Sequence, residues 1–274
     1  MPVDIPEEEW ENVQIIFATS AGDVRRNALS DFTNVRANGK IAMDLPENVE
    51  LVNARIATQD DDVMLVTKSG RAIRFSTNAV RVFKGRKSTG VRGVRLTGDD
   101  CVVSMSILRH FEASSDERAA YLKMRRAVAG MVDDEGAGTE DEEVSANATI
   151  SPERYAEMSA AENLILTISS RGSGKLSSSH DYPVRGRGGM GVAAMDKAMR
   201  GGDLVASFPV DLEDQIMLAT SKGQSIRVPI EGISFRSRSA GGVKVFNTGN
   251  NEEVVSVARI VEQSEDEEAQ EGEA

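Results

Sequence analysis

The run RGRGGMG, residues 185–191, is the first place where this sequence could do chemistry. Its glycines give G-x-G-G-x-G, close to a loop whose backbone amides cradle a pyrophosphate. Such a loop works only between a strand and the helix whose N-terminus faces the phosphate. Here VAAMDKAMRGGDLVASFPV follows, with no sustained helical stripe and a quick return to an apolar, strand-like pattern. The context argues against a nucleotide site. Other chemistry is sparse. His110 ends a strand, and His180 sits in a polar loop where a surface role is expected. No Cys/His cluster has metal-ligand spacing, and neither a P-loop nor G-x-S-x-G occurs. Asp60, Asp61 and Asp62 form a run of carboxylates that could hold a cation weakly, but they read first as a turn between units. Tyr121, Tyr155 and Tyr182 lack a nucleophile context, and Cys101 reads as core within an apolar strand. The residue types therefore point to binding rather than catalysis.

The 274 residues suffice for one large or two ordinary domains. A single cysteine rules out an internal disulfide and fits a reducing compartment. The opening MPVDIPEEEWEN is acidic rather than a basic-then-apolar leader, and no apolar run approaches the roughly 18 residues that span a bilayer. These features lead us to expect a soluble, cytoplasmic chain with no membrane partner.

Four segments share one plan. Their turn glycines are Gly22, Gly70, Gly172 and Gly223, each preceded by an apolar run such as IIFATSAG, VMLVTKSG, LILTISSRG or IMLATSKG. Each turn leads to a strand ending in a basic residue, a polar loop and a glycine-marked strand (NGKIAMDL, TGVRGVRL, RGGMGVAAM, AGGVKVF). An acidic turn and a last strand follow. Four strands per unit at this period predict an all-β, propeller-like disc of blades. The organisation expected is an acidic lead over 1–12, two blades over 13–108, a helical and acidic insertion over 109–161, two blades over 162–260, and an acidic tail over 261–274. RGRGGMG becomes the third unit's copy of a recurring blade position. Glycine there suits a positive φ or a close backbone approach.

The net charge of −12 is unevenly spread: the four units sum to +8 and the remainder to −20. Bases cluster at the end of the second strand (Arg25, Arg26, Arg74, Lys175, Arg227). A second cluster, Arg36, Lys40, Lys84, Arg86, Lys87, Arg92, Arg185, Arg187, Arg236, Arg238 and Lys244, lies along the loop before the glycine-marked strand and in that strand. Equivalent positions in successive blades fall on one ring. A curved basic stripe fits duplex DNA held by phosphate neutralisation with weak sequence preference. The plainer reading is a solvated surface of scattered charges.

In the insertion, Ser114 and Glu117 form a capping box for a helix over 114–131, with Ala120, Tyr121, Met124 and Val128 near one face. Ser151 and Pro152 suit the start of a second helix. The stretch 133–148 reads as disordered. The tail is either a solubilising end or an intramolecular DNA mimic that competes for the basic rim.

IIFATSAGDVRRNALSDF, VMLVTKSGRAIRF, STGVRGVRL and IMLATSKGQSIRV resemble blades of the C-terminal domain of DNA gyrase A. The resemblance covers nearly all of the chain outside the insertion and the acidic ends. It implies a six-bladed β-pinwheel whose blades exchange strands and whose rim wraps duplex DNA. That wrap serves ATP-dependent negative supercoiling by a type II topoisomerase. The implied partners are the rest of gyrase A, together with gyrase B, in a heterotetramer. ATP and Mg2+ would be used by those other parts, with no cofactor and no catalytic residue in this chain. Four blades are visible where the family has six, and the family's first-blade box Q-R-R-G-G-x-G is matched only in its latter part, by Arg187, Gly188, Gly189 and Gly191. The chain thus reads as a C-terminal piece starting near the third blade. The corresponding domain of topoisomerase IV, or a propeller scaffold that binds no nucleic acid, are the alternatives.

Overall fold

The computed structural model describes residues 5–33, 39–128, 148–198 and 201–260. The expected disorder of 133–148 and the reading of the 261–274 tail therefore fall essentially outside the described residues, as does Arg36. In chain order the strands are β1 (Gln14–Thr19), β2 (Asp23–Ala28), β3 (Leu51–Ala57), β4 (Asp61–Thr67), β5 (Arg71–Ser76), β6 (Val91–Arg92) and β7 (Val102–Arg109). After helices α1 (Ser115–Val128) and α2 (Pro152–Ala160) come β8 (Leu164–Ser169), β9 (Ser173–Ser178), β10 (Val192–Ala193) and β11 (Leu204–Val210). The last are β12 (Gln215–Thr220), β13 (Ser225–Pro229), β14 (Val243–Lys244) and β15 (Val254–Ile260).

Each repeat supplies an antiparallel hairpin around its turn glycine and an inner strand that returns beside it, giving β3-β1-β2, β7-β4-β5, β11-β8-β9 and β15-β12-β13. The glycine-marked strand does not stay with its own repeat. β6 pairs with β2, β10 with β5 and β14 with β9, so each of the first three sheets takes its outermost strand from the next repeat. Four strands per sheet is right for these three, but the fourth strand is borrowed. The glycine-marked segment of the first repeat forms no strand among its described residues, and the fourth sheet has three strands. This exchange makes the fold a pinwheel rather than a plain propeller.

Backbone hydrogen bonds fix the exchange in the same register each time. Phe83 N donates to Arg26 O at 2.8 Å, Arg185 N to Arg74 O at 2.8 Å and Arg236 N to Leu176 O at 2.7 Å. On the inner side, Val102 N donates to Ser20 O, Leu204 N to Lys68 O and Val254 N to Ser170 O. Apolar side chains fill the space between blades: Val24, Leu65, Ile73, Phe75 and Val94 between the first two, and Leu166, Ile168, Leu218 and Val254 between the last two. Each such burial stabilises by about 1.5–3 kcal/mol. Strands β3, β7, β11 and β15 line a cavity of about 650 Å3, whose polar residues include Asn53, Ser104, Ser106 and Ser256.

The insertion folds as its caps dictate. Ser114 N donates to Glu117 Oε2 at 2.8 Å while Glu117 N donates to Ser114 Oγ at 3.2 Å. Ser151 Oγ accepts from Arg154 N, with Pro152 opening α2. The packed stripe differs from the one expected. Tyr121 and Leu122 face Met158, whereas Met124 and Val128 are exposed. The reason lies in the neighbour: α1 leans on the 3-10 turn Ser179–Asp181 rather than lying flat on a sheet.

Three expectations about polar residues also change. His180 is buried, its ring edge-on to Tyr121 and near Phe111, with Nε2 2.8 Å from Met158 O. Asp62 lies inside β4 rather than in an open turn, and Cys101 is half-buried just before β7 instead of within a core strand.

The glycines sort by what surrounds them. Gly191 has φ +71°, and a Cβ there would lie 2.2 Å from the carbonyl oxygen of Ala72 in the preceding blade. Gly186 has ordinary φ and open space. We expect Gly191→Ala to lower unfolding free energy by about 2 kcal/mol or more, and Gly186→Ala to leave it nearly unchanged, in urea denaturation. Equal midpoints for the two variants would contradict this packing.

Burial holds the His180 imidazole below its ordinary value of 6.5, against a smaller opposing pull from Met158 O. The unfolded chain therefore binds the proton more readily than the fold. Stability should be fully present above pH 6.5 and decline as pH falls below it. His180→Gln, which keeps a donor for Met158 O, should flatten that part of the profile. An unchanged slope between the two proteins would count against the assignment.

Candidate nucleic-acid interface

The two clusters of bases differ in depth, with Arg227 and Arg238 as the exceptions. Those at the end of the second strand are mostly interior. Arg25 is 1% exposed; its Nε donates to Asn27 Oδ1 at 2.7 Å and one terminal nitrogen to Ser88 O at 2.6 Å. Arg26 donates across the blade boundary to Thr77 O at 2.8 Å and back to Gln14 Oε1 at 3.1 Å. Arg74 occupies the equivalent position one repeat on. It donates to Asp62 Oδ2 at 2.8 Å, to Ser179 O at 2.9 Å in the next blade and to Arg109 O at 3.1 Å. Asp62 also holds His110 Nδ1 at 2.9 Å.

Lys175 is fully buried, its ammonium directed at the carbonyls of Ser237, Arg238 and Ala240 in the next repeat. Burial pulls it down to about 7, with Asp181 opposing. Arg238, placed by sequence in the outer loop, is 5% exposed; its Nε donates to Asp181 O at 2.9 Å. These five side chains are consumed in joining blades. Each is at most 5% exposed and already donates to oxygens of the fold, so phosphate cannot reach it without opening the fold. Arg227 stands at the position of Arg26 and Arg74 but on β13, and is exposed.

The outer loops differ. Lys84, Lys87, Arg92, Arg185, Arg187 and Lys244 are exposed, and Lys40, Arg86 and Arg236 are partly so. Several are held in place by backbone carbonyls of a neighbouring segment. Arg187 Nε donates to Ala79 O at 2.8 Å and a terminal nitrogen to Arg92 O at 3.0 Å. Arg86 reaches Asp31 O at 3.2 Å, Lys40 Nζ reaches Thr33 O at 2.7 Å and Lys244 Nζ reaches Arg171 O at 3.0 Å. The loops of adjacent repeats also touch directly, through Gly188 N to Gly93 O and Arg95 N to Gly189 O. The outer loops of the second and third repeats, which carry exposed bases, therefore lie against each other.

Two members escaped the sequence reading. Arg81 is exposed and lies 4.3 Å over the Phe83 ring, whose vicinity Arg25 shares at 5.1 Å. Arg95, also exposed, follows the exchanged strand. Arg81 could have been found as the base two residues before an aromatic at the head of the same loop.

The sequence profile described as "DNA gyrase C-terminal domain, beta-propeller" matches residues 14–58, 61–109, 163–208 and 214–260, one match per repeat. The chain belongs to that family. The DNA gyrase A protein of Granulibacter bethesdensis is 45% identical over 273 residues, covering 96% of this chain and 29% of its own length. That of Salmonella typhimurium is 31% identical over 265 residues, covering 96% and 24%. The chain thus spans under a third of these relatives.

Among solved structures, the C-terminal domain of DNA gyrase A aligns with TM-score 0.63 and 20% identity, over 92% of this chain and 67% of that one. The C-terminal domain of DNA topoisomerase IV aligns with TM-score 0.68 and 19% identity, over 95% and 64%. At these identities both speak for the fold, and it is the sequence relatives that favour gyrase. For this gyrase-type pinwheel, Arg74→Met should cost about 3–5 kcal/mol by stranding Asp62 in the interior, whereas Lys84→Gln should cost almost nothing. Similar losses in denaturant titration would mean that Arg74 is not a blade staple.

Proposed function

We propose that the chain binds duplex DNA along its outer edge and bends it, as the C-terminal part of a DNA gyrase A protein. The observation that supports this reading is that exposed bases sit on mutually contacting outer loops of a gyrase-family pinwheel. Lys84, Lys87, Arg92, Arg185 and Arg187 meet phosphates, and Arg81 with Phe83 gives the stripe a fixed planar cation at its head. Lys40, Arg86, Arg236 and Lys244 extend it. Arg25, Arg26, Arg74, Lys175 and Arg238 act indirectly, by holding the blades at a constant angle so that the bases stay on one curve. Phosphate contacts of this kind position a duplex without reading its sequence, and the curvature makes deformability the source of any preference.

In the whole enzyme, the bent segment would be presented for ATP-driven strand passage, giving negative supercoils. The remaining parts of gyrase A, with gyrase B, would supply the chemistry and use ATP and Mg2+, within the cytoplasm. This chain contributes geometry and charge.

The test is a salt series with unrelated duplexes. Replacing Lys84, Lys87 and Arg185 by glutamine should weaken binding equally for all sequences. It should also lower the magnitude of the log–log salt slope by about 0.9 for each phosphate no longer neutralised. Absent or salt-insensitive binding would instead favour a scaffold without a nucleic-acid partner, and a defect confined to one sequence would overturn binding through phosphates alone.

A further inference from the structure

Each exchanged strand is preceded, five residues earlier, by an arginine of the outer loop: Arg86 before β6, Arg187 before β10 and Arg238 before β14. All three reach back to the 3-10 turn of the repeat before. Arg86 donates to Asp31 O at 3.2 Å, Arg187 to Ala79 O at 2.8 Å and Arg238 to Asp181 O at 2.9 Å. Arg187 and Arg238 also donate to the last residue of the preceding exchanged strand, through Arg92 O and Ala193 O. The acceptors Asp31, Ala79 and Asp181 occupy one position of the repeat, nine residues beyond the turn glycines Gly22, Gly70 and Gly172. That position is acidic at the two flanking joints and alanine at the middle one.

The difference shows in how each arginine is held. The Asp181 carboxylate accepts the backbone N–H of Arg238 at 2.6 Å and lies 3.8 Å from its Nε, and Arg238 is buried. At the middle joint Arg187 and Ala79 are both exposed. Among the described residues no carboxylate pairs with the Arg187 guanidinium, and no acceptor takes its backbone N–H. The flanking acids also face a buried base of the adjoining strand, Arg25 for Asp31 and Lys175 for Asp181. Ile73 stands at that place in the middle joint, so the acid and the buried base are missing together. The charge of this joint therefore lies at the surface, on an arginine already aligned by two carbonyls.

We propose that this position of the 3-10 turn decides how each outer arginine is used, and that Ala79 leaves at Arg187 a seat for one phosphate of the bound duplex. The phosphate oxygens take the place that the Asp181 carboxylate holds at the next joint. The seat rests on the DNA-binding reading proposed above and singles out one contact within it. A guanidinium beside a backbone N–H offers charge-assisted bonds to an anionic oxygen. Alignment by Ala79 O and Arg92 O leaves less side-chain freedom to lose on contact. An acid at position 79 would fill the seat from within.

The test measures duplex binding across a salt series for the full chain, for Ala79→Asp, for Arg187→Gln and for the two together. Ala79 is exposed and aspartate already stands at this position in two other turns, so the fold is retained. Each single change should lower the magnitude of the log–log slope by about 0.9, the share of one phosphate. The pair should lower it no further than one change alone, because both remove the same contact. Gly186→Asp adds the same charge in open space beside the seat, and its effect should add to that of Arg187→Gln. A slope unchanged by Ala79→Asp, or additive effects of Ala79→Asp and Arg187→Gln, would overturn the seat while DNA binding stands. Salt-insensitive or absent binding by the unaltered chain would overturn the DNA reading itself. The Arg187 amide resonance should move with duplex at far lower concentration than with inorganic phosphate, and with neither in Ala79→Asp. A response to inorganic phosphate without one to duplex would make this a small-anion site and overturn the assignment.

Discussion

A β-sheet edge is a row of unpaired amide and carbonyl groups, and leaving it open invites wrong partners. In this chain each of three edges is answered by a neighbour: β2 by β6, β5 by β10 and β9 by β14. The pairing is only two residues long, so it depends on the backbone coming very close. Glycine is needed where Val24 O and Ala72 O press against Gly90 and Gly191. Everything else in the fold is arranged around keeping that close approach. Because the closing strand passes from one blade to the next, its loop must cross the outer boundary between them. That crossing is what places the outer loops side by side.

The same boundary explains why so many bases lie inside a protein of this size. A blade joint buries carbonyls at the 3-10 turns, such as Thr77 O and Ser179 O, that accept one N–H within the turn and can accept a second bond. A guanidinium with its planar fork can satisfy several at once, and Arg26 and Arg74 do so from equivalent positions. Lys175 solves a related problem with three carbonyls and no carboxylate in direct contact. Where a carboxylate is present, as at Asp62, it is shared by Arg74 and His110. Charge in this fold has two separate uses, and depth below the surface distinguishes them.

The repeat was legible because turn glycines and apolar runs recur in a fixed order, and the exchanged strands were expected from the family resemblance. The capping residues Ser114, Glu117, Ser151 and Pro152 likewise specify their helices locally. What composition could not give was depth. Arg74 and Arg92 are both bases near a strand, yet one bonds Asp62 in the interior and the other lies on the outer edge. His180 looked like a loop residue because the helices that cover it come from a different stretch of sequence. Met124 and Val128 followed helical spacing, but the packed face was set by the neighbouring turn, which periodicity does not record.

The direction of the exchange has a consequence for how the molecule comes into being. A ribosome delivers β2 well before Val91–Arg92, and β5 well before Val192–Ala193, with the whole helical insertion between the latter pair. Each nascent blade thus waits, one strand short, for residues still to be translated. The wait is longest at the second blade, and loop-closure entropy for its final strand is correspondingly larger, though it grows slowly with length. The insertion lies across this wait, and its compact helical pair shortens the free chain that must be closed. During synthesis from the N-terminus, the first three sheets are therefore completed only once the repeat that follows each of them has arrived.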